Sequence, residues 1–322
     1  MRDFVFEPAA WIPFRDTDVL ERLRTMTPQE LTQHSNEAFR VRISKNPGLF
    51  VFGHLFERIR DSDQKNERFV AILGNPAPGI YEPLAQLINY FGVSCRNFHA
   101  FTMDEWADEN GNIAPMTYAS GFTYSFFKYF INQIEPELRP PAQNIHYPTN
   151  ENIRHYSDLI CETGQGGADT IYSGPGWAGH VAFIDPCPEF VEGYREGHEY
   201  MIRDLSDPYF GLKSAIITVH PLTIVQNSLH GVFGQSGDLA SVPPKAATIG
   251  PFDVANARER IETHSLTTAG SFSSWQRMTS RLITHGPVTP YVPGSMLQLM
   301  DTTVLLSETL AAPITCMETE GY

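Results

Sequence analysis

The feature that most constrains this chain is an alternation of short apolar runs with helix-like stretches. Phe69-Val70-Ala71-Ile72-Leu73 is apolar throughout and closes on Gly74-Asn75-Pro76; Leu84, Leu87 and Ile88 then recur at helical spacing. The rhythm continues with a strand-like run ending near Met103, an aromatic helix around Phe122 to Ile131, and Asp169-Thr170-Ile171-Tyr172 entering a Gly-rich turn. Ser214 to Val219 and Thr303 to Leu306 read as further strands. Strands without polar alternation are buried on both faces, as in parallel sheets covered by helices. The expectation is an α/β protein with a mostly parallel sheet and helices on both faces. In such sheets chemistry sits in loops at the carboxyl ends of strands.

The first 65 residues read as a polar, helical N-terminal extension packed outside a single α/β domain spanning 66–322. Within the extension, Thr27-Pro28-Gln29-Glu30 has the cap and the acid three residues later that start a helix. No apolar run is long enough for a membrane span, and the opening MRDFVFEPAAWIPFRD lacks the apolar stretch of a signal peptide. A soluble, cytoplasmic protein is the plain expectation, with no membrane partner. A formal charge of −14, from 23 Lys plus Arg against 37 Asp plus Glu, argues against nucleic acid. It also offers no long-range steering to an anionic substrate. Cys95, Cys161, Cys187 and Cys316 form no Cys/His ligand spacing, so reduced thiols are expected and no metal site.

Two segments fall at strand ends and carry ionisable groups. In Phe101-Thr102-Met103-Asp104-Glu105-Trp106, adjacent carboxylates point in different directions, one free to face a cleft while the other is tied to structure. A base in a cleft needs reach and a tuned pKa; the plainer reading is a helix cap or solvated turn. In Ser173-Gly174-Pro175-Gly176-Trp177-Ala178-Gly179-His180, three glycines let the backbone approach a ligand closely. Asp185, five residues after His180, can orient the imidazole for proton transfer near neutral pH. Here the plainer reading is a tight turn around a buried histidine.

Together these segments resemble the glucosamine-6-phosphate deaminase/isomerase family. FTMDEW resembles its FxMDEY signature, and SGPGWAGHVAFIDP its GGxGxDGHIAFNEP. Thr123 to Phe126 resembles the Ser-Tyr-Tyr-Ser-Phe region, Thr223 to Ser228 the TRVANSR segment, and Val242 to Ala246 the VPKxA. Gly286-Pro287-Val288-Thr289-Pro290 leading to Leu297-Gln298-Leu299 resembles the closing GPVTPxxPASxLQLH. The resemblance covers roughly residues 66 to 312. It implies a Rossmann-like, doubly wound sheet and a reaction that opens a sugar ring, moves a proton between C1 and C2, and releases ammonia from C2. It further implies that Asp104 moves the proton, His180 opens the ring with Asp185 behind it, and Glu105 is the second acid of its pair. Gly74 and Asn75, Gly176 to Gly179 (with Trp177 and Ala178 between them), and Asn227 with Ser228 are the implied substrate-binding positions. No metal or nucleotide cofactor is implied. The partner is a small-molecule sugar or amino sugar; the family includes hexamers and monomers, so a homo-oligomer is one permitted state.

The departures from the pattern are specific. Ala178 replaces the aspartate of the DGH step, leaving His180 one acid fewer to support its charged form. Where the family has the loop TGGTP, Gly74-Asn75-Pro76-Ala77-Pro78-Gly79 lacks the hydroxyl and loses backbone donors at its prolines. Leu229 replaces the arginine of NSR, and Gly270-Ser271-Phe272-Ser273 lacks the lysine of GSQK. Arg and Lys are what grip a phosphate, so the expected substrate lacks the 6-phosphate unless Arg277 or Arg281 re-enters the pocket. Trp106, Trp177, Phe272 and Trp275 cluster in sequence around the inferred cleft, where aromatic faces suit sugar C–H surfaces; ordinary core packing is the alternative. Three functions remain open: a sugar isomerase or deaminase, a non-catalytic sugar-binding relative with a sensing role, and a lactonase of the same fold.

Overall fold

The computed structural model describes residues 6–74, 78–191, 200–265 and 276–314. Among them run ten strands: β1 (Phe39–Ser44), β2 (Phe69–Leu73), β3 (Phe98–Thr102), β4 (Asp104–Ala107), β5 (Ile145–His146), β6 (Thr170–Ser173), β7 (Ala215–Thr218), β8 (Lys245–Thr248), β9 (Glu259–His264) and β10 (Thr302–Ser307). Seven form one sheet in the order β1-β10-β9-β6-β2-β3-β5, and every neighbouring pair is parallel. β2 is buried at all five positions, as a strand covered on both faces must be. One core cluster joins Val51, Leu55 and Ile59 of the helix Pro47–Lys65 to Phe69, Ala71 and Leu73 of β2 and to Leu84, Ala85 and Ile88 of the helix Pro78–Phe91. Val70 and Ile72 face the opposite cluster, with Phe101, Ile171 and Val304. The Rossmann-like α/β fold read from the sequence is therefore present.

Two readings change. The first 65 residues are not all helical: Phe39-Arg40-Val41-Arg42-Ile43-Ser44 adds an edge strand to the sheet, in register with Thr302–Ser307. The sheet thus draws on both sides of position 65. The expected helix start at Thr27 does form a capping box with Glu30, but its helix ends at Leu31. The strand read at 214–219 exists as β7, yet it belongs to a separate antiparallel sheet ordered β4-β8-β7. Cys95 and Cys187 are buried free thiols, Cys161 is a partly buried one, and Cys316 lies outside the described residues. No described helix is long and apolar enough to cross a membrane.

From β2 the chain winds outward through β3 to β5, then returns to lay β6 on the other side of β2. This reversal opens a crevice at the carboxyl ends of the strands, where ligands of such sheets bind.

Candidate active site

A cavity of about 250 Å³ occupies that crevice. Its wall collects Gly74 after β2, Met103 and Asp104 after β3, Ser173 to Pro175 at the end of β6, and Thr263 and Ser265 around the end of β9. Strand ends far apart in sequence thus converge because the sheet is parallel. His180, Ala182, Phe183, Gln226, Asn227 and His230 close another side, while Val51, Ile80, Tyr81, Phe122 and Tyr172 supply an apolar one.

His180 enters the cavity from the Gly-rich loop, with its imidazole fixed from behind. Its Nδ1 lies 2.6 Å from Asp185 Oδ1. Asp185 is fully buried and also accepts from the Thr223 hydroxyl at 2.9 Å and from the His220 N–H at 2.8 Å. Three donors hold this buried carboxylate in place behind the imidazole. A carboxylate on Nδ1 holds the proton there and leaves Nε2 with a lone pair. Nε2 packs over Gly176: a Cβ at that position would sit 2.0 Å from it and 2.6 Å from Gln226 Oε1. Gly176 is therefore required by close approach to the imidazole. Gln226 Oε1 also accepts the Trp177 N–H at 2.6 Å, tying the loop to the helix Pro221–Ser228. The next turn is strained, with Ala182 at φ 53, and it delivers the Phe183 N–H to Asp104 Oδ1 at 3.0 Å.

The adjacent acids have different fates, set by the direction each side chain takes from β4. Asp104 lines the cavity, and burial pushes its carboxyl up to about 7, opposed by hydrogen bonds from Thr248 and the Phe183 N–H. Glu105 turns away from the cavity. It accepts from the Trp106, Phe122 and Thr123 N–H groups at 2.8, 3.1 and 2.7 Å. Those last two open the helix Phe122–Tyr129, whose cap residue Gly121 has no side chain to offer. Burial raises the Glu105 pKa while those donors lower it. Glu105, the second acid of the pair, is thus the one tied to structure: its oxygens serve the helix start.

Gly74 and Asn227 line the cavity. Trp177, Ala178 and Gly179 do not; the loop reverses there, and they line a second, apolar cavity of about 160 Å³ with Phe14, Leu222 and Val292. Gly179 has φ +77 and packs where a Cβ would meet Val292 at 2.9 Å. Ser228 is buried, its hydroxyl donating to Val225 O. Trp106 is a core residue stacked among Phe122, Phe183 and Phe233. Asn75, Phe272 and Trp275, and the 270–273 segment, lie outside the described residues.

Neither arginine held in reserve reaches the cavity. Arg281 is 1% exposed and donates to the carbonyls of Arg277, Leu310, Ala311 and Ala312. Arg277 donates to Pro313 O. Among the described residues, the cavity wall holds no Lys or Arg. Its nearest approach to a cation besides His180 is His230, whose pKa is lowered by burial and by His180. Reading the sequence missed Thr223, His220, Thr248, Gln226 and His230. Thr223 and Gln226 sit inside the segment resembling TRVANSR, while His220 and Thr248 carry no local signal.

No protein-family model matches the chain. The glucosamine-6-phosphate deaminase of Fusobacterium nucleatum subsp. nucleatum is 25% identical over 216 residues, 64% of this chain and 66% of that protein. The enzyme of the same name from Caenorhabditis elegans is 26% identical over 218 residues, 65% of this chain and 68% of that protein. The match thus spans about two thirds of these relatives' lengths. A solved structure described as a monomeric glucosamine-6-phosphate deaminase, a missing link of the NagB superfamily, has a TM-score of 0.63 at 18% identity, covering 85% of this chain and 98% of that one. A 6-phosphogluconolactonase from Trypanosoma cruzi has a TM-score of 0.54 at 14% identity, covering 91% of this chain and 99% of that one. The structures agree on the fold, and the sequence matches agree with the ordered motifs: the chain is similar, as a divergent relative, to the glucosamine-6-phosphate deaminases.

Proposed function

We propose that this protein moves a proton between adjacent carbons of a sugar or amino sugar that lacks the 6-phosphate, an aldose–ketose isomerisation with release of ammonia where the substrate carries an amine. The observation that carries this reading is the placement of Asp104, its carboxyl at about 7, on the same cavity wall as a His180 backed by Asp185.

The chemistry follows from the two protonation states. Nε2 of His180 accepts the anomeric hydroxyl proton as the ring C–O bond breaks and passes it to the departing ring oxygen, so the transient imidazolium, paired with Asp185, returns to neutral. Asp104, ionised near neutral pH and buried, removes the proton from the carbon next to the new carbonyl and returns it to the neighbouring carbon. A base acts best when its pKa lies near the working pH. Thr223, 3.3 Å from His180 Nδ1 and bonded to Asp185, steadies the pair where the family pattern has a second acid. The neutral substrate end is supported by a wall that holds no Lys or Arg among the described residues and by the apolar side chains of Val51, Ile80 and Tyr81. A phosphate there would forgo charge-assisted bonds of about 1.5–3 kcal/mol each.

Thermal-shift and ammonia-release assays with glucosamine and glucosamine 6-phosphate test this reading. Stabilisation with turnover by the unphosphorylated sugar supports it. Turnover of the phosphorylated sugar alone overturns the altered substrate, and stabilisation without turnover moves the protein to a sensing role.

A further inference from the structure

A strand at the centre of a parallel sheet is ordinarily a run of Val, Ile and Leu. β9 instead reads Glu-Arg-Ile-Glu-Thr-His, and places Glu262 and His264 side by side on one face at 0% exposure. Their register partners on β10 are Val304 and Leu306. Among the described residues, no cation faces Glu262. His264 Nε2 lies 3.8 Å from its Oε1, beyond hydrogen-bond reach, and burial holds that imidazole neutral with a pKa of about 3. Among the described residues Glu262 Oε1 has no hydrogen-bond partner, whereas Oε2 is hydrogen-bonded to the hydroxyl of Ser173. Ser173 in turn lines the cavity, and it stands where the deaminase pattern GGxGxDGH has its first glycine.

An ionised carboxylate with an orphan oxygen in a dry site is costly, so the acid keeps its proton. Burial accordingly pushes Glu262 up to about 8. A neutral carboxyl with one partnered oxygen donates through that oxygen. The Ser173 oxygen then accepts from behind, and its own hydrogen is left to point forward into the cavity. For stability alone an apolar residue at 262 would serve the strand better, since an unsatisfied buried acceptor costs about 1–3 kcal/mol.

We propose that Ser173 is a specificity-determining residue of this cavity, its hydroxyl held by Glu262 as a neutral donor so that Ser173 gives a hydrogen bond to an oxygen of the bound sugar. Glu262 is then a positioning residue acting through Ser173. The inference rests on the reading that the cavity takes a sugar.

Infrared difference spectra and glucosamine titrations of the full chain at neutral pH test it. A protonated-carboxyl band is expected in the unliganded protein, absent in Glu262→Gln, displaced in Ser173→Ala, and shifted on adding glucosamine. Ser173→Ala and Glu262→Leu should weaken glucosamine binding about five- to tenfold. Glu262→Gln, whose amide can still donate, should bind nearly as the native chain does. Glu262→Leu should also melt no lower than the native chain, which separates lost positioning from lost folding. Absence of a Glu262 carboxyl band, or native-like binding by Ser173→Ala, would overturn the inference. A native protein that binds no glucosamine would instead overturn the substrate reading. In that case a band displaced in Ser173→Ala supports the Glu262–Ser173 arrangement, and an unmoved band overturns it.

Discussion

Burial opposes the charge of Asp104 while the Phe183 N–H and the Thr248 hydroxyl support it, and the balance leaves its carboxyl at about 7. An unfolded aspartate titrates near 3.9. The folded pKa is thus the higher one, so this group favours folding below about pH 4 and that contribution is lost as pH rises through about 7. Asp104→Asn carries no charge to bury. It is expected to melt above the native chain at pH 8, the difference closing toward pH 4 in calorimetry. The same variant should lose turnover by about 10²–10⁴-fold, and native turnover should rise with pH through about 7 as the base ionises. Gly176→Ala, whose Cβ would fall 2.0 Å from His180 Nε2, should displace the imidazole and abolish turnover while leaving the melting curve two-state. At this scale the sequence was legible where a motif named the residue: Asp104 and His180 line one cavity, and Asp185 is bonded to His180 from behind. It was silent on Thr248, which meets Asp104 only through the pairing of β4 with β8.

The helix Phe122–Tyr129 illustrates how an element can depend on a distant side chain. Gly121 cannot cap it, so Glu105 reaches across 17 and 18 residues to its first N–H groups. Glu105→Ala should strand those donors in a dry site and cost about 1–3 kcal/mol of stability, read as a lower midpoint in urea. The ionisation of Asp104 should survive in the fraction that folds. Element reading from sequence succeeded for β2 and β10, which carry apolar runs, and for β6, which was placed by its entry into the Gly-rich turn. It failed at β9, because Glu262 and His264 disguise a buried central strand as a polar one. β1 was overlooked although Phe39, Val41 and Ile43 alternate with Arg40 and Arg42, the period-2 pattern of an edge strand with one covered face. The N-terminal segment looked helical as a whole because the long helix Pro47–Lys65 dominates its composition.

Across the whole molecule, a formal charge of −14 surrounds a cavity whose described wall has no Lys or Arg. Neither the long-range field nor the described wall offers an anion a fixed cation, in keeping with the proposed sugar with a neutral far end. The proposed substrate follows the same division: the segments carrying Asp104 and His180 resemble the deaminase pattern, whereas Gly74-Asn75-Pro76-Ala77-Pro78-Gly79 departs from its TGGTP loop. The direct measurement is deuterium incorporation. The protein is incubated in D₂O with glucosamine or glucosamine 6-phosphate, and exchange at the carbon beside the carbonyl is followed by NMR. The account predicts exchange into glucosamine that disappears in Asp104→Asn, with little into the phosphorylated sugar. Exchange that persists in Asp104→Asn, or that occurs only with the phosphorylated sugar, would contradict it.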